Sequence, residues 1–219
     1  MPVSAQEPPP QFLLVVQERL RPGSEQAYAR VESEIADVCA RLGCPNPYLA
    51  LESIDGPKEV WWLNAFASDA DKARVEEAYA RNTRLMAELR TLGQRKESLT
   101  ERPRTLLAKH RRDLSGDACW RVSGARFFVV TLSTEERQAE GLVFESPDGR
   151  RLGFAPAATR PEADRTASLA GAGSTIFAVQ PRWSLPADAW VAADPEFWES
   201  SPVVRIRRRG SHGSGQGGS

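Results

Sequence analysis

Lys58-Glu59-Val60-Trp61-Trp62-Leu63-Asn64-Ala65-Phe66-Ala67 is the densest run of large apolar residues in the sequence, and it predicts a central β-strand. Successive side chains of a strand point to opposite faces, so Trp61 and Trp62 lie on different faces, and both faces are largely apolar. Each face therefore needs a covering layer. The amide of Asn64 falls among these apolar side chains, and a buried amide must be hydrogen-bonded by protein, water or ligand.

The composition is that of an ordinary globular protein. A chain of 219 residues with 41% hydrophobic content is long enough for one large domain or two small ones around a packed core. Lysine plus arginine equals aspartate plus glutamate at 29 each, so no net field exists to hold nucleic acid or an anionic membrane. No apolar run approaches the roughly 20 residues of a membrane span. We therefore expect neither a nucleic-acid partner nor a membrane partner.

The elements around the central strand predict an α+β domain at residues 11–113. In chain order they are a strand at 11–20, a helix between the N-cap Ser24 and Gly43, a strand at 48–54, the central strand, a helix from the N-cap Ser68 to Gly93, and a strand at 105–112. This order is that of the ferredoxin-like βαββαβ fold, a four-stranded antiparallel sheet with both helices on one face. The uncovered face then requires a second sheet.

On the element order, the strand Glu59–Phe66 and the helix capped by Ser68, the first half resembles the dimeric α/β-barrel superfamily. That superfamily includes the antibiotic-biosynthesis monooxygenase-like and NIPSNAP-like proteins. The resemblance implies that two sheets pack face to face into a barrel. It also implies, from the enzymatic members, a ligand pocket between the sheet and its helices.

Residues 120–201 show a fainter version of the same order, and we interpret them as a β-rich, degenerate second copy. The predicted elements are a strand at 126–132, a short helix or turn at 133–140, a hairpin of 141–145 with 151–154, a helix from 159 to 171, and a strand at 174–180. This copy would close the barrel within one chain, under a final segment carrying Trp183, Trp190, Phe197 and Trp198. The alternative is a homodimer in which a second chain completes the barrel. We prefer the internal pairing.

The two ends of the sequence are predicted to be flexible. Residues 1–10 are rich in proline and lack the basic and apolar regions of a signal peptide, which as given places the protein in the cytoplasm. Val3-Ser4-Ala5 has the small residues of a signal cleavage site, so export after removal of a leader stays open. Residues 205–219 begin with an arginine run and continue in glycine and serine, a composition typical of a flexible tail.

The sequence has no motif for a metal or a common cofactor. The three cysteines, Cys39, Cys44 and Cys119, form no Cys-x-x-Cys pair, which argues against a zinc site or a disulfide scaffold. We expect buried free thiols, although Cys39 and Cys44 are close enough in sequence to bridge in an oxidising compartment. Nucleotide-binding glycine loops and a nucleophile elbow are absent from the sequence, and it has two histidines, so we predict no metal and no cofactor.

The candidate site consists of inward-facing amides and aromatic residues. In a ferredoxin-like sheet the first strand lies between the third and the fourth, so we expect Asn64, His110 and the polar end of the first strand to converge. The catalytic candidates are Asn64, Trp62 and His110. The ligand-binding candidates, with Glu18 as a neighbour, are Trp62, Asn64, Asn82, Tyr48 and Tyr79.

Three functions follow as hypotheses. The first is a barrel that binds a small apolar or aromatic molecule without assured catalysis. The second rests on the resemblance, because some cofactor-independent monooxygenases of that superfamily hold an electron-rich substrate with asparagine and tryptophan; here Trp62 and Asn64 would orient a small aromatic or quinol-type substrate. The haem-degrading relatives use a histidine on the second helix, and residues 70–93 contain none. The third is a structural or interaction protein with a filled core.

Overall fold

The computed structural model describes residues 8–134, 141–171 and 173–206. Its first elements are β1 (Phe12–Arg19), α1 (Glu25–Leu42), β2 (Leu49–Ser53), β3 (Glu59–Phe66), α2 (Asp69–Arg81), α3 (Thr83–Lys96) and β4 (Arg104–His110). The elements that follow are α4 (Arg112–Ser115), β5 (Phe127–Ser133), β6 (Leu142–Glu145), β7 (Arg151–Ala157), α5 (Arg160–Ala170), β8 (Ser174–Val179), α6 (Asp188–Ala193) and a 3-10 turn at Phe197–Ser200. Each predicted strand is therefore present.

Eight strands form a closed antiparallel barrel within the single chain. Around the barrel the order is β1-β3-β2-β8-β5-β7-β6-β4. Two ladders join the halves: β2 pairs with β8 at Leu51 and Val179, and β4 pairs with β6 at Lys109 and Glu145. The preference for closure within one chain is thereby confirmed, and a second chain is not needed to complete the barrel.

The two halves of the barrel have the same strand order. Starting from the fourth strand of each half, the order is β4-β1-β3-β2 in the first half and β8-β5-β7-β6 in the second. In each half the first strand in the sequence, β1 or β5, lies between the third and the fourth strands of that half. The joints β2–β8 and β4–β6 occupy corresponding edges, so the barrel has an internal two-fold arrangement.

Both faces of β3 are covered, as its sequence predicts. Trp61 and Leu63 point into the barrel, where they belong to a buried cluster to which all eight strands contribute side chains. Val60 and Trp62 point outward and pack with Tyr28 of α1. Burying a large apolar side chain stabilises a fold by roughly 1.5–3 kcal/mol, so both faces of β3 contribute to stability.

Aromatic side chains from both halves fill much of the barrel interior. They are Trp61, Trp120, Phe128, Phe144, Phe154, Phe177, Trp190 and Trp198. The last two come from the predicted closing segment, and their ring centroids lie 6.1 Å apart. Trp183 of the same segment packs instead outside the barrel, with its ring centroid 5.9 Å from that of Tyr28.

The single helix predicted from Ser68 to Gly93 is wrong, because the structure has two helices that meet at Asn82. The Ser68 cap is confirmed, since its side chain accepts the N–H of Asp71. Asn82 leaves helical geometry at φ −88° and ψ 73°, and its Oδ1 accepts the N–H of Leu85 at the start of α3. Asparagine competes with the helical backbone for hydrogen bonds and favours a cap over a helix interior.

The expectation of free thiols at Cys39 and Cys44 is also wrong. α1 ends in a left-handed Gly43, and this turn brings the two cysteines to a Cα–Cα distance of 4.7 Å, where they form a disulfide. That separation is within the range a disulfide requires. Among the described residues, Cys119 is the free cysteine.

Several expectations concern residues outside the described ranges. The predicted arm at 1–10, the short helix or turn at 133–140 and the tail at 205–219 lie mainly there. Within the described ranges, no helix has the length and apolar character needed to cross a membrane.

Candidate functional site

Trp62 and Asn64 lie on the outward face of β3, in the layer between the sheet and the helices. The Nε1 of Trp62 donates a hydrogen bond to Oε2 of Glu18 at 3.1 Å. The Oδ1 of Asn64 accepts a hydrogen bond from Nδ2 of Asn46 at 2.9 Å. Asn46 lies in the loop between α1 and β2 and is buried. The protein itself therefore supplies a partner for the Asn64 amide.

His110 lies on the other face of the sheet, so the expected convergence of His110 with Asn64 is wrong. The imidazole ring lies 5.5 Å from the ring of Phe144, which belongs to the barrel interior, and its Nε2 is 3.1 Å from Oγ of Ser115. Burial, followed by the charge of Arg112, lowers the pKa of His110 below its ordinary value. Adjacency of strands does not ensure convergence, because alternation places successive side chains on opposite faces.

The remaining three ligand-binding candidates lie in the packed helical layer. The ring of Tyr48 is 5.8 Å from that of Trp62, its buried hydroxyl has no hydrogen-bond partner among the described residues, and burial raises its pKa. Tyr79 packs between the helices, where burial raises its pKa to about 12. Asn82 caps α3, and its Nδ2 donates to the carbonyl of Leu42 at 3.0 Å. These contacts hold the helices in fixed positions relative to one another.

The ionisable group at the centre of this layer is Glu18, near the end of β1. Its Oε2 accepts the hydroxyl of Tyr28 at 2.5 Å in addition to the indole N–H of Trp62, and it lies 2.7 Å from Nζ of Lys96. The residue is 7% exposed. One carboxylate oxygen thus holds side chains from α1, β3 and α3 in fixed positions.

A second buried carboxylate shares the same ammonium. The Oε1 of Glu32 on α1 lies 2.5 Å from Nζ of Lys96, and Glu32 is 1% exposed. This oxygen lacks a partner in hydrogen-bonding geometry, so we treat the contact as one between charges. With Glu18 and Glu32 both ionised, the cluster carries two negative charges against one positive charge. A buried uncompensated charge is unfavourable, which favours retention of a proton.

The pKa shifts follow from this charge count. Burial raises the pKa of Glu32 to about 7, with the carboxylate of Glu18 adding to the effect and Lys96 opposing it. Burial by itself would lower the pKa of Lys96, but the two carboxylates outweigh burial and raise it. Burial and the same carboxylates raise the pKa of Tyr28. Near neutral pH the lysine is therefore protonated and the tyrosine is neutral, and Glu32 is the group that gains or loses a proton.

A pocket of about 300 Å³ opens over this cluster. Glu18 and Lys96 form part of its surface, with apolar wall supplied by Ile35 of α1 and Pro103 before β4. The rest of the wall consists of Arg21, Gly93, Glu97, Thr100, Glu101 and Arg102. The cluster is thus buried but within reach of a molecule that enters between β1, α1 and the end of α3.

Two further surface pockets lie on the helical side and lack buried ionisable groups. One of about 490 Å³ is bounded by the Cys39–Cys44 disulfide, Asn46 and residues 185–188, and one of about 420 Å³ lies between α1 and α3. Neither Asn64 nor Asn82 lines any of these three pockets.

The two halves of the barrel differ in what lies beneath their helices. In the second half, apolar side chains on the outward faces of β5, β7 and β8 pack against α5, including Val129, Ala163 and Ile176. Among the described residues, the buried carboxylates are Glu18 and Glu32, both in the first half. Within the described ranges, the buried carboxylates therefore lie in one half of the barrel.

Sequence reasoning missed Glu32 and Lys96, although each breaks an apolar stripe. Glu32 follows Tyr28 by four residues, and Lys96 follows Leu92 by four, so each lies on the inward face of its helix. Because the second helix was predicted to end at Gly93, Lys96 fell after its end, and its position on the apolar face of the helix was not recognised.

No protein-family model and no curated protein matches the chain. Among solved structures, it is similar to a candidate monooxygenase from Fusobacterium nucleatum, with a TM-score of 0.48 and 10% identity over 81% of this chain and 94% of the other. A candidate monooxygenase from Lactobacillus acidophilus has a TM-score of 0.45 and 6% identity over 85% and 88%. A protein from Agrobacterium tumefaciens has a TM-score of 0.35 and 25% identity over 46% and 94%. Likenesses at these scores do not identify an activity.

Proposed function

We propose that the protein is a small-molecule-binding barrel whose ligand lies over Glu18 and Lys96. The observation that carries this proposal is a buried ionisable cluster at the floor of a pocket of about 300 Å³. Ligand sites are concave and contain a few fixed polar groups, and perturbed pKa values in a cleft are typical of functional sites. The presence of this cluster in one half of an otherwise duplicated barrel supports the same interpretation.

For the architecture, we infer two ferredoxin-like copies arranged as the dimeric α/β-barrel superfamily arranges two chains. The identical strand order of the halves and their corresponding joints support this inference. Residues 120–201 then supply what a partner chain supplies elsewhere. Association into a homodimer stays a prediction that barrel closure no longer requires.

The pocket changes the groups expected to orient the ligand. Asn64 and Asn82 are occupied by the protein, so Glu18 and Lys96 take over the orienting role. Ile35 and Pro103 offer a small apolar wall. We therefore expect a ligand with a charged or strongly polar group at one end and a small apolar or aromatic body.

A monooxygenase-like enzyme is the second candidate, favoured by the pKa of about 7 at Glu32. A group that exchanges its proton near neutral pH suits general acid–base catalysis. In this version the Glu18 carboxylate accepts the hydroxyl proton of a quinol-type substrate, and Lys96, which contacts both carboxylates, relays a proton to Glu32. The resulting anion reacts with molecular oxygen without a cofactor; one oxygen atom enters the ring to give a hydroxyquinone and the other leaves as water. Trp62 does not line this pocket and would act through its hydrogen bond to Glu18, whereas His110 has no part.

The structural-protein alternative predicts a filled core, and the barrel interior is indeed filled with aromatic side chains. The proposed pocket lies outside the barrel, between the sheet and the helices. A filled interior therefore does not weigh against a ligand at Glu18 and Lys96.

Gly93 offers a direct test because it lies in the pocket wall and a Cβ added there meets no atom within 4 Å. Gly93→Phe should fill the pocket, whereas Gly93→Ala leaves it open and favours the helix by about 1 kcal/mol. Compounds from a thermal-shift screen that raise the Tm of the wild type and of Gly93→Ala should not raise that of Gly93→Phe. Hits that stabilise all three proteins equally would refute the proposed site, as would a broad screen without hits.

The enzyme version is tested by oxygen uptake with a panel of hydroquinones. Loss of the Glu32 proton acceptor in Glu32→Gln should lower kcat on the order of a hundredfold. Turnover that is unchanged in Glu32→Gln, or absent across the panel in the wild type, would exclude this version.

A further inference from the structure

The ammonium of Lys96 lies in a cage of two carboxylates and two aromatic rings. Its Nζ is 2.7 Å from Glu18 and 2.5 Å from Glu32. It is also 5.3 Å from the ring centroids of both Tyr28 and Trp62. Ring faces within about 6 Å and nearby carboxylates are what proteins use to recognise organic ammonium ions.

The walls of this cage are held together without Lys96. Tyr28 and Trp62 both donate hydrogen bonds to the same oxygen of Glu18, at 2.5 and 3.1 Å. Tyr28 is supported from outside by Trp183, at 5.9 Å between ring centroids. The walls come from β1, β3 and α1, so the site is preorganised by elements other than the one that fills it.

The occupant comes from a different element. Lys96 is the last residue of α3, its side chain is 14% exposed, and it also lines the pocket of about 300 Å³. It therefore lies between the solvent side of the pocket and the cage. Withdrawal of this one side chain would open the cage to the pocket.

The charge of the cage also favours a cation. Glu18 and Glu32 face one ammonium, and the other titratable groups near Glu32 are Tyr28 on α1 and Tyr48 immediately before β2, both neutral. An empty cage would thus contain up to two negative charges behind aromatic walls. A compact, partly desolvated cation is the ligand that such walls stabilise most.

We propose that Glu18, Glu32, Tyr28 and Trp62 form a binding site for an alkylammonium ion, with Lys96 as its tethered occupant. The ligand class is a primary or N-methylated amine in its protonated form. Its route is the pocket of the proposed function, on which this inference rests for access alone. The ligand ammonium takes the position of Nζ, and its alkyl body follows the path of the lysine side chain.

Lys96→Ala with n-butylammonium tests this proposal, because the probe reproduces the missing side chain. We expect the probe to raise the Tm of Lys96→Ala and to bind it at least about tenfold more tightly than it binds the wild type, where the occupant competes. Potassium chloride at equal ionic strength and 1-butanol, which lacks the charge, are the matched controls. Lys96→Ala combined with Glu18→Gln should lose the effect. Equal stabilisation by butylammonium and by either control would overturn the proposal.

A measurement on the wild type keeps the test decisive if Lys96→Ala does not fold. The indole N–H signal of Trp62 in an NMR titration should shift with butylammonium and not with 1-butanol. No shift, or equal shifts, would overturn the proposal. The two proposals fail on different results. If Gly93→Phe still binds every screening hit, the proposed function is refuted. Stabilisation of Lys96→Ala by butylammonium tests the cage and does not depend on that result.

Discussion

Replacing Glu32 by glutamine should remove a pH dependence of stability that the buried cluster creates. Burial raises the pKa of Glu32 from 4.5 to about 7 against the opposing charge of Lys96. Because the folded pKa is raised, the contribution to stability is fully present below 4.5 and is lost as the pH rises through about 7. This shift contributes a fall of about 2.5 kcal/mol to the wild-type free energy of unfolding between about pH 5 and about pH 8.

Urea denaturation of the wild type, Glu32→Gln and Glu34→Gln at both pH values measures this difference. Glu34 is the matched control, because it lies on the same helix, is exposed, and pairs with Arg95, which lowers its pKa. Glu34→Gln should keep the wild-type pH dependence, and Glu32→Gln should lose about 2.5 kcal/mol of it. Burial lowers the pKa of His110 in all three proteins alike, so its effect cancels in the comparison. The same pH dependence in Glu32→Gln as in the wild type would refute the assignment of a shared proton to this cluster.

Three further changes test the scaffold by chemical denaturation or thermal melting. Asn82→Ala should lower the free energy of unfolding by about 2 kcal/mol, because it removes the α3 cap and one buried hydrogen bond; Asn82→Asp should lose less. Reduction of Cys39–Cys44, or the double serine variant, should cost about 2 kcal/mol for a loop with a sequence separation of 5, and a Tm insensitive to reductant would contradict the disulfide. Gly141→Ala should cost more than about 4 kcal/mol, because its Cβ would lie 2.2 Å from a backbone oxygen of β7 at φ +100°. Gly149→Ala, also at positive φ but in open space, should cost about 1 kcal/mol, and equal losses would contradict the clash.

Local signals predicted most of the first half of the fold. Gly43 and Ser68 mark helix ends through backbone geometry that a few neighbouring residues determine. Ser24 also precedes α1, but its side chain donates to the carbonyls of Arg21 and Leu99 and does not cap the helix. The two-sided apolar strand required a second sheet, and residues 120–201 supply it. Asn82 was misplaced because an asparagine within an apolar period fits a helix face as well as a junction. Choosing the junction requires the Leu42 carbonyl, which a separate element provides.

The site was harder to predict because it depends on which residues from separate elements meet. Asn64 draws attention as a polar residue in an apolar strand, yet its partner Asn46 lies 18 positions away in a loop. Glu18 was recognised as a neighbour and proves to be the centre of the cluster. Glu32 and Lys96 resemble surface charges until the helices that carry them are placed against each other. Like many buried ion pairs, they become distinctive through shared burial, which a single sequence does not record.

A crystal structure of the protein with a compound selected by the thermal-shift screen would test the pocket most directly. The ligand should lie between β1, α1 and the end of α3, in contact with Glu18 and Lys96. Electron density for the compound inside the barrel, or in the pocket beside the Cys39–Cys44 disulfide, would contradict the proposed site.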